Sequence, residues 1–94
     1  AYEFILSEDP GFVSAYVNLG YLLVSRNQID RGEALYRKAL QLDPDHKQAL
    51  LNLAATLLLR ENAAEAMKYI EWLLIIDPGN EQAQQLKSVA DSGT

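Results

Sequence analysis

The 94-residue sequence predicts an all-α solenoid built from antiparallel helix pairs. Three observations predict it. Pro10, Pro44 and Pro78 stand at equal intervals of 34 residues (44 − 10 and 78 − 44), each directly after an aspartate. The segments between them echo one another: Leu-Asp-Pro-Asp at 42–45 answers Ile-Asp-Pro-Gly at 76–79, and Asn-Leu-Gly at 18–20 answers Asn-Leu-Ala at 52–54. Apolar residues fall at helical spacing, and no stretch alternates with the period of a strand. A repeat of this length decides architecture before local detail does, because each unit buries its apolar face only against its neighbours.

Residues 1–8 read as the end of an amphipathic helix without a start, so the chain is expected to be an excerpt, or a processed form, of a longer protein. Asp9-Pro10-Gly11 breaks this helix, since proline lacks an N–H and denies the α region to the residue before it. A helix over about 12–25 follows, with Phe12, Tyr16, Leu19 and Leu23 on one stripe and Val13, Val17 and Tyr21 on another. Gly20 weakens it relative to alanine, and close approach of a neighbouring helix is the expected reason. Asn27 suits a cap or a left-handed turn. The next helix spans 29–42 and carries a second small residue, Gly32, one turn before Tyr36.

Asp43-Pro44-Asp45 breaks the chain again, and Asp45 with Gln48 has the spacing of a capping box for a leucine-rich helix over 46–60. Asn62 with Glu65 repeats that signature ahead of a helix over 63–76. After Asp77-Pro78-Gly79, Asn80 is placed to cap a last helix at 81–91. Its one narrow apolar face is that of a helix packed on one side only. Loops this short make consecutive helices antiparallel neighbours.

Composition removes several function classes. Eight basic and thirteen acidic residues give a net charge of −5, which argues against nucleic acid, because phosphate neutralisation needs clustered Lys and Arg. No apolar stretch is long enough to span a bilayer, so no membrane insertion is expected. There is no cysteine, hence no disulfide and no thiolate metal site. His46 is the sole histidine, and metal ligands come in clusters, so no metal or cofactor is expected. No Ser/His/Asp set and no glycine-rich phosphate loop can be assembled, which predicts a non-enzymatic role.

The period and its signature positions resemble the tetratricopeptide repeat. The first-helix pattern is met by Tyr16, Leu19-Gly20 and Leu23, then by Leu50, Leu53-Ala54 and Leu57. The second-helix pattern is met by Gly32, Tyr36, Ala39 and Pro44, then by Ala66, Ile70, Leu73 and Pro78. The resemblance divides the chain into a second helix of a truncated preceding repeat (1–12, with Tyr2 and Ile5 at signature positions), repeats at 13–46 and 47–80, and a C-terminal capping helix at 81–94. Leu73 stands where the family prefers alanine, Ile70 replaces an aromatic, and Glu61 stands near a position often held by glycine.

The resemblance implies a protein-interaction module whose first helices line a concave groove for a peptide or protein segment. The expected groove residues are Asn18, Asn52, Val17, Tyr21, Gln48, Leu51 and Ala55, with Gln82, Gln85 and Val89 continuing the row. Asn18 and Asn52 lie one repeat apart, similar to the asparagine ladder of long members, and a carboxamide supplies both donor and acceptor to a peptide bond. The family's basic clamp on a C-terminal carboxylate is not matched, because Val17, Tyr21, Gln82 and Leu86 occupy its places. Trp72 and Ile75 fall on the outward, convex side, where an exposed Trp can anchor an interface; single exposed apolar residues are also commonplace. The alternative function is a structural spacer or a self-association module, with homo-oligomers formed through the exposed N-terminal half-repeat.

Overall fold

The structure, a computed structural model, describes residues 11–92. It contains five α-helices and, among the described residues, no strand: Gly11–Ser25 (α1), Ile29–Leu42 (α2), Lys47–Leu59 (α3), Ala63–Ile76 (α4) and Glu81–Ser92 (α5). The helix expected over 1–12 lies outside the described residues, save that Gly11 and Phe12 open α1. The other helices fall within a residue or so of their expected bounds.

The two kinds of turn repeat as the sequence does. After α1, the Asn27 N–H bonds to the Val24 carbonyl at 2.9 Å and the Gln28 N–H to the Leu23 carbonyl at 2.8 Å. After α3, the Glu61 N–H reaches Leu58 at 3.0 Å and the Asn62 N–H reaches Leu57 at 2.8 Å. Both are Schellman closures, which need a left-handed residue past the helix end. Asn27 (φ 66°) and Glu61 (φ 59°) supply it. Asparagine tolerates this conformation; glutamate pays roughly 1 kcal/mol for it. The proline turns are equally matched, with Asp43 N–H on Ala39 at 2.8 Å and Asp77 N–H on Leu73 at 2.7 Å.

The caps correct one expectation. Asn62 and Asn80 cap α4 and α5, accepting from the Glu65 and Ala83 N–H groups at 3.3 and 2.8 Å. At α3, however, His46 is the cap, its Nδ1 accepting from the Ala49 N–H at 3.1 Å. The turn after Pro44 takes one residue more than the capping-box reading allowed. Asp45 is thereby left outside the helix and Gln48 is freed for another partner.

Small residues set the helix spacing in the first pair. A Cβ on Gly20 would lie 2.7 Å from Tyr36 Cε1, and a Cβ on Gly32 would lie 2.7 Å from the Gly20 carbonyl oxygen. The α1 and α2 backbones therefore touch at these two glycines, and the Cδ1–Cε1 edge of the Tyr36 ring packs against Gly20. A core of Tyr16, Tyr36, Leu53, Leu57 and Ile70 runs through both pairs, closed by Ala39, Ala54 and Ala66. Leu50, Leu51, Leu73 and Ala83 form a second cluster where α5 packs onto α3 and α4. Leu73 is thus accommodated by neighbours of its own.

Polar contacts tie the pairs together across their edge. Arg37 of α2 donates to Glu65 Oε2 at 2.9 Å and to the Tyr69 hydroxyl at 3.2 Å on α4, and it pairs with Glu33 at 3.0 Å. Arg60, at the end of α3, returns to Asp30 and Glu33 at the start of α2. Glu33 is shared by both arginines.

Candidate functional site

The first helix of each pair packs beside the first helix of the next, α1 against α3 and α3 against α5. Their outer sides therefore form one continuous surface. Residues one repeat apart fall in register on it: Ser14 with Gln48, Asn18 with Asn52, Tyr21 with Ala55, Ser25 with Leu59. Gln82, Gln85 and Val89 extend the row on α5, all exposed.

The structure brings most of the expected residues to this surface and removes two. Asn18, Tyr21 and Gln48 are exposed, and Asn52 and Ala55 are half-buried. Val17 and Leu51 are only 2% and 8% exposed and belong to the core. Each sits on the side of its helix that the following helices cover, so stacking takes away a surface that a single helical wheel leaves open.

Between α1 and α3 the row deepens into a cavity of about 170 Å³, lined by Tyr21, Val24, Tyr36, Asn52, Ala55, Thr56 and Leu59. An apolar cavity of roughly 150 Å³ holds one benzene ring, so this one is sized for a single large apolar side chain. Tyr21 and Leu59, 65% and 67% exposed, form its rim. No charged residue lines it. Asn52 Oδ1 accepts from Gln48 Nε2 at 2.7 Å, which fixes the carboxamide. The Thr56 hydroxyl spends its proton on the Asn52 main-chain carbonyl at 2.8 Å. The polar groups at the site are then the Asn52 amide, which faces the buried Tyr36 hydroxyl, and the outer side of Gln48.

Asn18 and Asn52 are therefore unequal. The residue that matches Gln48 one repeat earlier is Ser14, too short to reach across a helical turn to an amide. Asn52 is held in place, whereas Asn18 stands exposed.

Tyr36 is the member of the site that the sequence pattern hid, because its signature position reads as core. It is 1% exposed, yet it lines the cavity. Its pairing with Gly20 is the one available signal, since a ring pressed on a glycine reaches past the α1 backbone. Burial and the neighbouring Tyr21 raise its pKa above the ordinary 10.0, against the opposing hydrogen bond from Asn52. Tyr36 stays neutral in the folded protein at pH values where the unfolded chain has already ionised. The stability that follows is fully present below pH 10 and is lost as pH rises through the folded-state pKa. Urea titrations at stepped alkaline pH should show stability falling above pH 10 in the wild type, and a shallower fall in Tyr36→Phe.

Stacked antiparallel helix pairs, left-handed closures one repeat apart and a shared row of first-helix side chains define a helical-repeat scaffold. A family model described as tetratricopeptide repeat matches residues 23–89. The chain belongs to the tetratricopeptide repeat family, whose members are generally protein-interaction modules. It is 32% identical over 77 residues to "Uncharacterized protein ycf37" of Cyanophora paradoxa, a match covering 82% of this chain and 45% of that protein. It is 28% identical over 76 residues to "Protein O-mannosyl-transferase Tmtc3" of Drosophila melanogaster, covering 81% of this chain and 8% of the other. The chain thus spans less than half the length of either. Among the described residues, no helix is long and apolar enough to cross a membrane.

Proposed function

We propose that the concave row binds an extended segment of a partner protein. In this reading one large apolar side chain of the segment enters the Tyr21–Leu59 cavity, and its backbone runs over Asn52 and Asn18. The cavity itself is the observation that carries the proposal: it is apolar, uncharged and sized for one side chain, with a fixed carboxamide at its edge. An anchor in a pocket supplies most of the affinity of such contacts, while amide contacts to the backbone leave side-chain identity free. The residues lining the row bind and orient a chain, so the role is non-enzymatic. Repeats at 13–46 and 47–80, flanked by helical segments, form the scaffold.

The test is selection from a displayed random-peptide library on the folded domain, followed by calorimetric titration of a selected peptide. Selected peptides should share one large apolar residue. The double variant Asn18→Ala/Asn52→Ala should weaken binding by about thirtyfold, given roughly 1 kcal/mol for each of two net hydrogen bonds, with an unchanged circular dichroism spectrum. Unchanged affinity would sink the asparagine contribution. Failure to select any peptide, or selected peptides indifferent to Tyr21→Ala, would sink the groove.

A further inference from the structure

A groove of about 390 Å³ lies on the first helix pair, lined by Tyr16, Leu19 and Leu23 of α1 and by Arg31, Leu35 and Lys38 of α2. The repeat shows what becomes of such a face. Leu50, Leu53 and Leu57 stand 34 residues after Tyr16, Leu19 and Leu23, and all three are buried. They are covered because α3 packs against α2, the second helix of the preceding pair. On the first pair Leu19 and Leu22 are 45% exposed, whereas their counterparts Leu53 and Thr56 are 0% and 2%. The Tyr16 hydroxyl is buried and has no hydrogen-bond partner among the described residues. A buried hydroxyl left without a partner is costly, so this apolar face needs an occupant that brings a polar group with it.

We propose that residues 1–8 of this chain seat in the groove as α2 seats on the second pair, with Glu3 paired to Arg31. The register is that of the repeat. Pro10 answers Pro44, so Glu3 answers Arg37 and Leu6 answers Leu40. Leu40 shares one cavity with Leu50 and Tyr69. Shifted by 34 residues, Leu6 meets Tyr16 and Leu35, and the neighbouring Ser7 and Glu8 carry acceptors for the Tyr16 hydroxyl. Length agrees: Tyr16 to Leu23 covers about 10 Å of α1, and eight helical residues cover about 12 Å.

Charge selects this occupant. Arg37 bonds Glu65 at 2.9 Å across the second joint. The same two places one repeat earlier (37 − 34 and 65 − 34) hold Glu3 and Arg31, so the pair recurs with its signs exchanged. The Arg31 side chain donates to Gln28 Oε1 at 2.8 Å, and neither Arg31 nor Lys38 enters an ion pair among the described residues. Lys38 answers Trp72, which lines a cavity with Pro44, so Lys38 falls beside Pro10 and the acidic Glu8-Asp9 before it. The α2 helix of a second copy in this groove would set Arg37 against Arg31. Residues 1–8 on the second pair would set Glu3 against Glu65. Like charges disfavour both arrangements. The exchanged pair therefore fixes which segment seats at which joint, and this end of the scaffold is a joint of the chain rather than a surface for another protein.

Nuclear magnetic resonance on the full 94-residue chain tests the proposal. Nuclear Overhauser contacts are expected from the Leu6 methyls to Leu35 and to the Tyr16 ring. In a mixture of isotope-labelled and unlabelled chains, these contacts should stay within one chain. Glu3→Arg and Arg31→Glu should each speed amide hydrogen exchange in α1 by about threefold, the worth of one exposed ion pair. The double variant Glu3→Arg/Arg31→Glu should return to the wild-type rate, because it restores the pair with its signs reversed. Arg31 is exposed, so its replacement leaves the core untouched. Each of three results overturns the proposal: no contact from Leu6 to the groove, contacts only between chains, which would give the groove to a second copy, or a double variant that exchanges as fast as the single variants.

Discussion

Tyr36→Ala is expected to lower the unfolding free energy by about 3–5 kcal/mol, the range for removing a large ring from a packed core. The ring is 1% exposed, lies against Gly20 and belongs to the core that joins the two helix pairs. The hole cannot close easily. Gly20 has no side chain to move into it, and the α1 and α2 backbones already touch. A domain of this size has a stability of roughly 5–14 kcal/mol, so the variant should stand near its unfolding threshold at ambient temperature. Equilibrium urea unfolding followed by circular dichroism measures the change directly. A loss below about 1 kcal/mol would mean that the site relaxes, and the close glycine contact would then not constrain the ring.

Gly32→Ala is expected to cost about 2 kcal/mol, although alanine is the better helix former. The added methyl would lie 2.4 Å from Val24 Cγ2 and 2.7 Å from the Gly20 carbonyl oxygen. The valine can rotate; the carbonyl is backbone and moves only if the helices part. Overpacking of this kind typically costs 1–3 kcal/mol, and the gain of about 1 kcal/mol in helix propensity offsets part of the upper range. The urea midpoint should fall with an unchanged slope. Because the contact is one object seen from two sides, Gly20→Ala and Gly32→Ala together should cost less than the sum of the single changes. A midpoint that rises in Gly32→Ala would show that the helices do not pack backbone to backbone there.

Much of this architecture was legible in the residues. The Asp-Pro turns and the polar turns at Asn27 and Glu61 punctuate the chain locally, and local chemistry is what a single sequence carries well. Gly20 in mid-helix also announced its neighbour correctly. The site was legible in part. Tyr21, Gln48, Asn52 and Ala55 follow from helical spacing and register alone. Val17 and Leu51 do not, since their burial depends on the angle at which the next helices cross, and no wheel contains that angle. The polar partners were equally out of reach. That Gln48 turns to Asn52 rather than to a cap depends on the turn after Pro44 running one residue further. That Asp45 then meets Trp72 depends on two segments 27 positions apart sharing an edge.

The arginine pair has a further consequence. Glu33 receives both Arg37 and Arg60, so one carboxylate in the first helix pair is engaged by its own helix and by the end of α3, while Arg37 reaches α4. In a one-dimensional array, contacts of this kind contribute to the nearest-neighbour coupling rather than to the intrinsic stability of either unit. Arg37, Arg60 and Glu65 are partly exposed and Glu33 less so, and added salt screens such pairs. Ionic strength therefore acts on cooperativity: whether the two pairs melt as a single unit or one after the other is set partly by the solvent, through a contact that leaves each pair intact on its own.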